Sequence, residues 1–248
     1  MRTICIVIPC YNEADRFPVA AFERFYDLSR STRFMLVNDG STDGTGALLQ
    51  KLARGRETRI KVLDLEKNVG KAEAVRLGAW KAFCMSDVNS IGFFDADFAT
   101  PLEEVFRLDA ALYANRDILI ALGSRIARMG ASITRDHKRH YFGRFFSTIA
   151  SSILGLPVYD TQCGAKLMRR EALPVIFVEP FISRWLFDIE MLARMLIAYG
   201  RELGSKKIVE VPLNTWHEQP GSKISTSYLF KMPLELFAIQ KKYCKNIS

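Results

Sequence analysis

Ile91-Gly92-Phe93-Phe94-Asp95-Ala96-Asp97 decides how the rest of the chain is read. A mostly apolar run ends abruptly in two carboxylates separated by one alanine. Such a run suits a buried strand of a parallel sheet. In these sheets ligands bind beyond the carboxyl ends of the strands, which is where Asp95 and Asp97 then sit. Two neighbouring carboxylates need a counter-charge, because otherwise one takes up a proton. A hard divalent cation carried on a substrate diphosphate supplies it, and Mg²⁺ takes only one or two protein carboxylates in such sites. A lone D-x-D is more often a plain Asp-rich turn, so the reading depends on what stands at the other strand ends.

Working outward, the same rhythm repeats. Ile4 to Ile8 reads as a strand stopping at Pro9, with the turn Pro9-Cys10-Tyr11-Asn12-Glu13 and then a helical pattern from about Phe17 to Leu28. Phe34 to Val37 is a second apolar run, ending in Asn38-Asp39-Gly40-Ser41-Thr42-Asp43. Asp43 is the expected N-cap of the next helix. Lys61 to Leu65 reads as a third strand, Asn68-Val69-Gly70-Lys71 as a turn and Ala72 to Cys84 as a helix. Pro101 can open the helix after Asp97, and Ile118 to Leu122 is a further strand. Strands alternating with helices predict an α/β chain, a mainly parallel sheet covered on both faces.

After Gly123 the pattern changes. A basic, aromatic stretch from Arg135 to Arg144 leads into an apolar helical pattern. A short strand at Lys166 to Met168, a helix from Leu186 to Tyr199, a strand at Ile208 to Val211 and a helix from Tyr228 to Tyr243 follow. With no repeat or linker, the 248 residues read as one domain, a ligand-binding half over 1–123 and a second half over 124–248.

Composition narrows the class. Hydrophobic residues make up 49% and charged residues 25%, as in an ordinary globular protein. Five cysteines without a CxxC pair argue against a disulfide framework or a structural zinc site and fit a reducing compartment. Neither a signal peptide nor an apolar run of membrane-spanning length is visible, so the expectation is a cytoplasmic protein. The net charge of +8 suggests an anionic partner. Nucleic acid is not expected, since zinc-finger spacings and RNP-type aromatics are both missing.

Common nucleotide motifs fail. The first strand is not followed by G-x-G-x-x-G. A P-loop ending at Gly70-Lys71 would need glycine where Leu65 stands and Ser or Thr where Ala72 stands. What remains is a set of polar turns converging on one sheet edge. There Asp39 can accept from a base N–H, Tyr11 can stack on the base and Lys71 can balance phosphate charge.

Val-Ile-Pro-Cys-Tyr-Asn-Glu (7–13), Val-Asn-Asp-Gly-Ser-Thr-Asp-Gly-Thr (37–45), Asn-Val-Gly-Lys (68–71) and Asp-Ala-Asp (95–97) together resemble the inverting family 2 glycosyltransferases. The resemblance implies a GT-A (Rossmann-like) fold. It implies nucleotide-sugar binding by Pro9, Tyr11, Asn12, Glu13, Asp39, Lys71, Asp95 and Ala96, and Mg²⁺ or Mn²⁺ held by Asp95 and Asp97. In the second half, Gly123-Ser124-Arg125, Asp160 to Leu167, Arg184 to Glu190 and Trp216 to Lys223 resemble the polyprenyl-phosphate branch, most of all its dolichyl-phosphate glucosyltransferases. Mannose-transferring relatives typically carry glutamine where Ala99 stands and arginine where His217 stands, so UDP-glucose is the implied donor.

The implied acceptor, a polyprenyl phosphate, is already anionic and needs positive residues rather than a strong base. Arg125 and Arg139 are the expected phosphate ligands, because a guanidinium offers two parallel donors. Arg144, Lys166 and Lys223 are further candidates. Asp97, Arg125 and Asp188 form the expected catalytic set, with Asp188 or Glu190 either a base, an organiser of the acceptor pocket or a partner of Arg184. Asp160 and Gln162 fall near the acceptor by resemblance. The stretch 142–156 combines Phe145, Phe146, Ile149, Ile153 and Leu154 with basic residues, and reads either as core or as a peripheral contact with a membrane surface. Three rivals stay open: a hydroxyl-acceptor glycosyltransferase, a non-catalytic binding protein, and a nucleotidyltransferase, which should open with a Gly-rich loop.

Overall fold

Long apolar runs cut off by polar turns suit central strands, and the computed structural model shows them as such. It describes residues 2–134, 147–219, 228 and 231–243. The strands are β1 (Ile4–Cys10), β2 (Thr32–Asn38), β3 (Ile60–Asp64), β4 (Ser90–Phe94), β5 (Ile120–Ser124), β6 (Ser132–Thr134), β7 (Ala165–Arg169), β8 (Ile208–Pro212) and β9 (Thr215–His217). Seven of them form one sheet in the order β3-β2-β1-β4-β7-β5-β8, and β6 pairs with β9 in a separate ribbon. All pairings in the main sheet are parallel except those of β7, which runs antiparallel between β4 and β5. The later half of the chain therefore supplies a strand to the middle of the sheet begun by the first.

The chain steps outward from β1 through β2 to β3, then returns to place β4 on the other side of β1. That reversal is a topological switch point, and it opens a crevice beyond the carboxyl ends of β1 and β4. Asp95 to Asp97 follow β4 directly.

Strand alternation divides the core between two faces. Ile4, Ile6 and Ile8 pack with Phe22, Phe25, Phe34 and Leu49. Cys5 and Val7 join Val75, Phe93 and Phe187 on the opposite face. Helices α1 (Val19–Leu28), α2 (Thr45–Ala53) and α4 (Val105–Ala114) cover the first face, and α3 (Lys71–Phe83) with the Phe187–Tyr199 helix covers the second. Phe22, Phe25 and Phe34 are fully buried. Each contributes on the order of 2–3 kcal/mol relative to exposure.

Several boundaries differ from expectation. β1 does not stop at Pro9 but runs to Cys10, with Pro9 opposite Val37. β5 begins at Ile120 instead of Ile118, because Asn115 closes a turn: its Oδ1 accepts from Asp117 N at 3.0 Å and its carbonyl accepts from Ile118 N. The β6–β9 ribbon went unforeseen, since strands this short leave almost no periodicity. The basic 135–146 stretch, with Arg139 and Arg144, and Lys223 lie outside the described residues. Residues 147–154 are helical. Leu154 there is buried, and Ile149 and Ile153 pack against the core. No described helix is long and apolar enough to cross a membrane.

Candidate active site

Beyond β1 and β2, two loops are laced together by side chain to backbone bonds. Asn12 adopts a left-handed φ of 48°, which asparagine tolerates better than most residues. Its N–H donates to Ser41 Oγ at 3.1 Å, and its Oδ1 accepts from Thr42 N at 2.9 Å. Glu13 N donates to Thr45 Oγ1 at 2.8 Å. Asp43 takes both the N–H and the hydroxyl of Thr45, at 2.9 and 2.5 Å. Helix α2 starts at Thr45 with Gly44 at the N-cap, so Asp43 caps from one residue further out than expected.

Asp39 is buried at 3% exposure. Its Oδ1 accepts from Val69 N at 2.7 Å, and its Oδ2 accepts from Gly70 N at 3.0 Å and Asn68 Nδ2 at 3.1 Å. It therefore holds the 68–70 turn in place. Burial pushes its carboxyl up, against the two backbone N–H groups. Gly70 has φ of 94°, and a Cβ there would lie 2.9 Å from Arg184 Cδ, so only glycine suits the position. Arg184 lies across this turn, and its carbonyl accepts from Ala72 N at 3.2 Å.

Lys71, the first residue of α3, places Nζ 2.5 Å from Asp95 Oδ1. That oxygen is buried, and the ammonium is its ion-pair partner. Asp95 N donates to Gly164 O at 3.1 Å. A Cβ on Gly164 would lie 2.1 Å from Asp95 Oδ2, so the glycine makes room for this carboxylate. Asp97 Oδ1 accepts from Ala99 N at 3.0 Å. Burial, then the neighbouring Asp95, pushes the Asp97 carboxyl up. Burial pulls the Lys71 ammonium down, but Asp95, Asp188 and Asp97 outweigh it and hold the charge. Tyr11, at 37% exposure, presents a ring at the end of β1. The Ala96 side chain turns into the core with Phe98, leaving only its backbone for the site.

These oxygens fit a divalent cation. Asp95 Oδ1 faces only the Lys71 ammonium, Asp97 is ill at ease ionised, and both are hard ligands. Among the described residues no group of three or more His, Cys, Asp or Glu could hold a metal by itself. A cation here would draw its other ligands from the substrate.

Behind this rim lies a layer of ion pairs. Asp188 Oδ1 stands 2.8 Å from Lys166 Nζ, which also donates to Cys163 O at 2.7 Å. This corrects the Asp188–Arg184 pairing: Asp188 is taken by Lys166 of β7, while Arg184, in the bend before the helix, faces Gly70. Burial pushes the Asp188 carboxyl up despite Lys166 and Lys71. Lys166 is 0% exposed, which removes it from the acceptor-phosphate candidates. Glu190, also 0% exposed, accepts from Ile182 N and Ser183 N at 3.0 Å each and from Tyr243 Oη at 3.2 Å. It ties the 182–183 bend to the C-terminal helix.

Arg125 forks onto Asp160, Nε to Oδ2 at 2.6 Å and Nη2 to Oδ1 at 2.8 Å, with Trp216 5.4 Å away. Burial alone would raise the Asp160 carboxyl; Arg125 outweighs it and holds it at about 2. Glu210, which sequence reasoning missed, accepts from Tyr159 N at 2.9 Å and Asp160 N at 2.7 Å. Gln162 N donates to Asp160 Oδ1 at 3.2 Å. Cys163 is pushed up to about 11 by burial and then by Asp160, so it is no thiolate nucleophile. The β6–β9 ribbon reaches the rim through His217 N, which donates to Ala99 O at 2.9 Å. The two positions that depart from the mannose-transferring pattern are thus in direct contact.

The profile of Glycosyl transferase family 2 matches residues 5–177. Dolichyl-phosphate beta-glucosyltransferase of Mus musculus is 31% identical over 260 residues, covering 98% of this chain and 76% of the relative. The Homo sapiens counterpart is 30% identical over 258 residues, with the same shares covered. Among solved structures, glucosyl-3-phosphoglycerate synthase from Mycobacterium tuberculosis in complex with UDP superposes with a TM-score of 0.69 at 20% identity, covering 98% of this chain and 80% of that one. The fold is that of the GT-A glycosyltransferases. The chain belongs to glycosyl transferase family 2.

Proposed function

We propose that this enzyme transfers glucose from UDP-glucose to a polyprenyl phosphate of the dolichyl class, with inversion at the sugar. The Lys71–Asp95–Asp97 cluster at the switch point carries this reading. Similarity to dolichyl-phosphate beta-glucosyltransferases over nearly the whole chain supports the acceptor. Structures of the mycobacterial neighbour with Mn²⁺ and UDP-glucose, or with Mg²⁺ and UDP, support the donor and the metal.

Asp95 and Asp97 would hold the cation, whose charge would stabilise the leaving diphosphate. Tyr11 offers its ring to the base. Asp39 shapes the base-binding turn, and its Oδ1, bonded to Val69 N, keeps a lone pair for a base N–H. Pro9, Asn12 and Glu13 set the loop beside it, and the Ala96 backbone spans the two metal-binding carboxylates. An oxygen of the acceptor phosphate bonds to C1 of glucose as the C1–O bond to the β-phosphate breaks, and the electron pair leaves with UDP. Attack opposite the leaving group converts an α-linked donor into a β-linked glycosyl phosphate.

The nucleophile carries its own charge, so no strong base is required. The burial of Asp188 and Glu190, the two carboxylates that a hydroxyl acceptor would need as base, supports a phosphate acceptor. Arg125 keeps its Nη1 edge beyond the Asp160 fork, and Arg139, Arg144 and Lys223 would complete the phosphate set. A lipid acceptor requires peripheral contact with a membrane surface, and the net charge of +8 supports attraction to anionic headgroups.

The test incubates the protein and Mg²⁺ with labelled UDP-glucose or GDP-mannose, and with a short polyprenyl phosphate or the matching alcohol. The expected product is phosphate-linked β-glucose from UDP-glucose. Transfer to the alcohol but not the phosphate defeats the proposal.

A further inference from the structure

We infer that Lys71 is the resident counter-ion of the metal-binding carboxylate, so that metal and nucleotide diphosphate are obliged to bind together. This rests on the donor-site reading above and adds a binding order to it. The carboxylates of Asp95, Asp97 and Asp188 all act on Lys71. Lys166, the other ammonium of the cluster, is already engaged by Asp188 and by the carbonyl of Cys163. Arg125 also acts on Asp95 but is forked onto Asp160. The cation in direct contact with the D-x-D is Lys71, whose Nζ lies 2.5 Å from Asp95 Oδ1.

A divalent cation binds a carboxylate oxygen at about 2.0–2.2 Å. It cannot share Asp95 Oδ1 with an ammonium already at 2.5 Å, because two positive centres would then stand side by side in a partly dry site. Metal entry must displace the Lys71 ammonium. The side chain is only 21% exposed, so a displaced charge needs a new anionic partner nearby. Asp188 is taken by Lys166, and the diphosphate that accompanies the metal is the partner that fits. Its phosphates receive the lysine that the metal has released. Without nucleotide, the metal meets an occupied position; with it, the exchange is balanced. Coupling of this kind is reciprocal: the diphosphate favours metal as much as metal favours the diphosphate.

The experiment measures Mn²⁺ binding by electron paramagnetic resonance, with and without UDP, on folded protein verified by circular dichroism. Wild type is expected to bind Mn²⁺ weakly alone and much more tightly with UDP. Lys71→Met is expected to bind Mn²⁺ without UDP at least about tenfold more tightly than wild type, with the UDP-induced tightening reduced by at least about tenfold. Lys71→Arg, which restores a cation at the same place, should keep the coupling within about threefold of wild type. Arg184→Gln removes a nearby cation that does not touch Asp95, and its Mn²⁺ affinity without UDP should stay within about threefold. Lys71→Met binding Mn²⁺ alone no better than wild type overturns the inference while leaving the donor site intact. So does an equal gain in Arg184→Gln, which would mark a general field effect. Absence of UDP-dependent Mn²⁺ binding in wild type, or its persistence in Asp97→Ala, overturns the metal reading and this inference together.

Discussion

Asp97, half-buried, and Asp160, buried, are both aspartates drawn away from water, yet the protein treats them in opposite ways. The Asp97 carboxyl is pushed up by burial and by Asp95. That of Asp160, shorter still of water, is held at about 2 by the Arg125 fork. The same contrast runs through the regions around them. On the Asp97 side, carboxylates crowd around Lys71 with more negative charge than the protein neutralises. On the Asp160 side each charge has a partner: Arg125 with Asp160, Lys166 with Asp188. A buried charge left short of partners belongs to a ligand, and one fully paired belongs to the fold.

The strongest way to break this contrast is to remove each aspartate in turn. Asp97→Ala should lower transfer by more than about 1000-fold, as should excess EDTA on wild type. Its melting temperature should hold or rise, because a strained carboxylate has gone. Asp160→Ala should instead cost about 3–5 kcal/mol of stability, since it leaves Arg125 buried and unpaired. Turnover assays beside thermal melts decide the matter. An unfolded Asp97→Ala with a stable Asp160→Ala would reverse the assignment.

Acid titration sharpens it. The folded Asp160 carboxyl lies at about 2 against an ordinary 3.8, so its contribution to stability is present above 3.8 and lost as pH falls through about 2. The displacement corresponds to roughly 2 kcal/mol. Asp97 has the opposite sign: its carboxyl is raised on folding, so ionisation destabilises the fold as pH rises past the ordinary value, and acid relieves this. Asp97→Asn should therefore gain stability at neutral pH but not in strong acid. Asp160→Asn should lose it at neutral pH and converge on wild type near the acid limit. Parallel urea curves for the two variants at all pH values would contradict both signs.

How much of this could be read in advance follows the same division. The donor rim is legible because each element is a contiguous turn at the end of an apolar run: 9–13, 38–43, 68–71, 95–97. The ion-paired layer is not, because its partners lie far apart in the chain. Nothing local to Arg125 announces Asp160, so it reads as a free cation waiting for phosphate. Arg184 stands near Asp188 in sequence and offers itself as a partner, whereas the actual partner, Lys166, comes from a strand twenty-two residues earlier. Lys166 reads as a further candidate for the acceptor phosphate, although β7 carries it, fully buried, into the centre of the sheet. Glu210 stands on β8, far along the chain from the Tyr159 and Asp160 N–H groups it accepts, and the His217–Ala99 contact depends on a ribbon too short to leave a pattern.

Arg125 itself stands between the two regions. Arg125→Ala should reduce transfer by about 30- to 1000-fold, mainly through acceptor binding, and should also destabilise the fold. Arg139→Ala should lower transfer to a comparable degree. Arg125→Lys keeps a cation beside Asp160 but loses the fork, so stability should recover further than activity. Full recovery of transfer with stability would place Arg125 wholly in the fold. Asp188→Asn should have a smaller effect on turnover, within about tenfold for folded protein, because a phosphate nucleophile needs no base. Its cost should show in the melt, since Lys166 loses its ionic partner. Turnover abolished with the melt unchanged would restore Asp188 as a base and favour a hydroxyl acceptor.

The smallest expected effect concerns the donor, where the two regions touch. His217 N donates to Ala99 O at 2.9 Å, a backbone bond that survives replacement of either side chain. The His217 side chain is exposed and Ala99 is 8% exposed, two residues past Asp97. Ala99→Gln and His217→Arg install the side chains typical of mannose-transferring relatives without disturbing the ribbon. UDP should bind wild type more tightly than GDP, and the double substitution should narrow that preference by about threefold to tenfold. The change is modest because neither position reaches the Asp39 turn, where the base is expected to lie. Calorimetry with UDP and GDP on both proteins measures it. Tighter GDP binding by wild type would overturn the donor assignment. A preference unchanged by the substitutions would move donor choice away from the ribbon and onto the Asp39 turn alone.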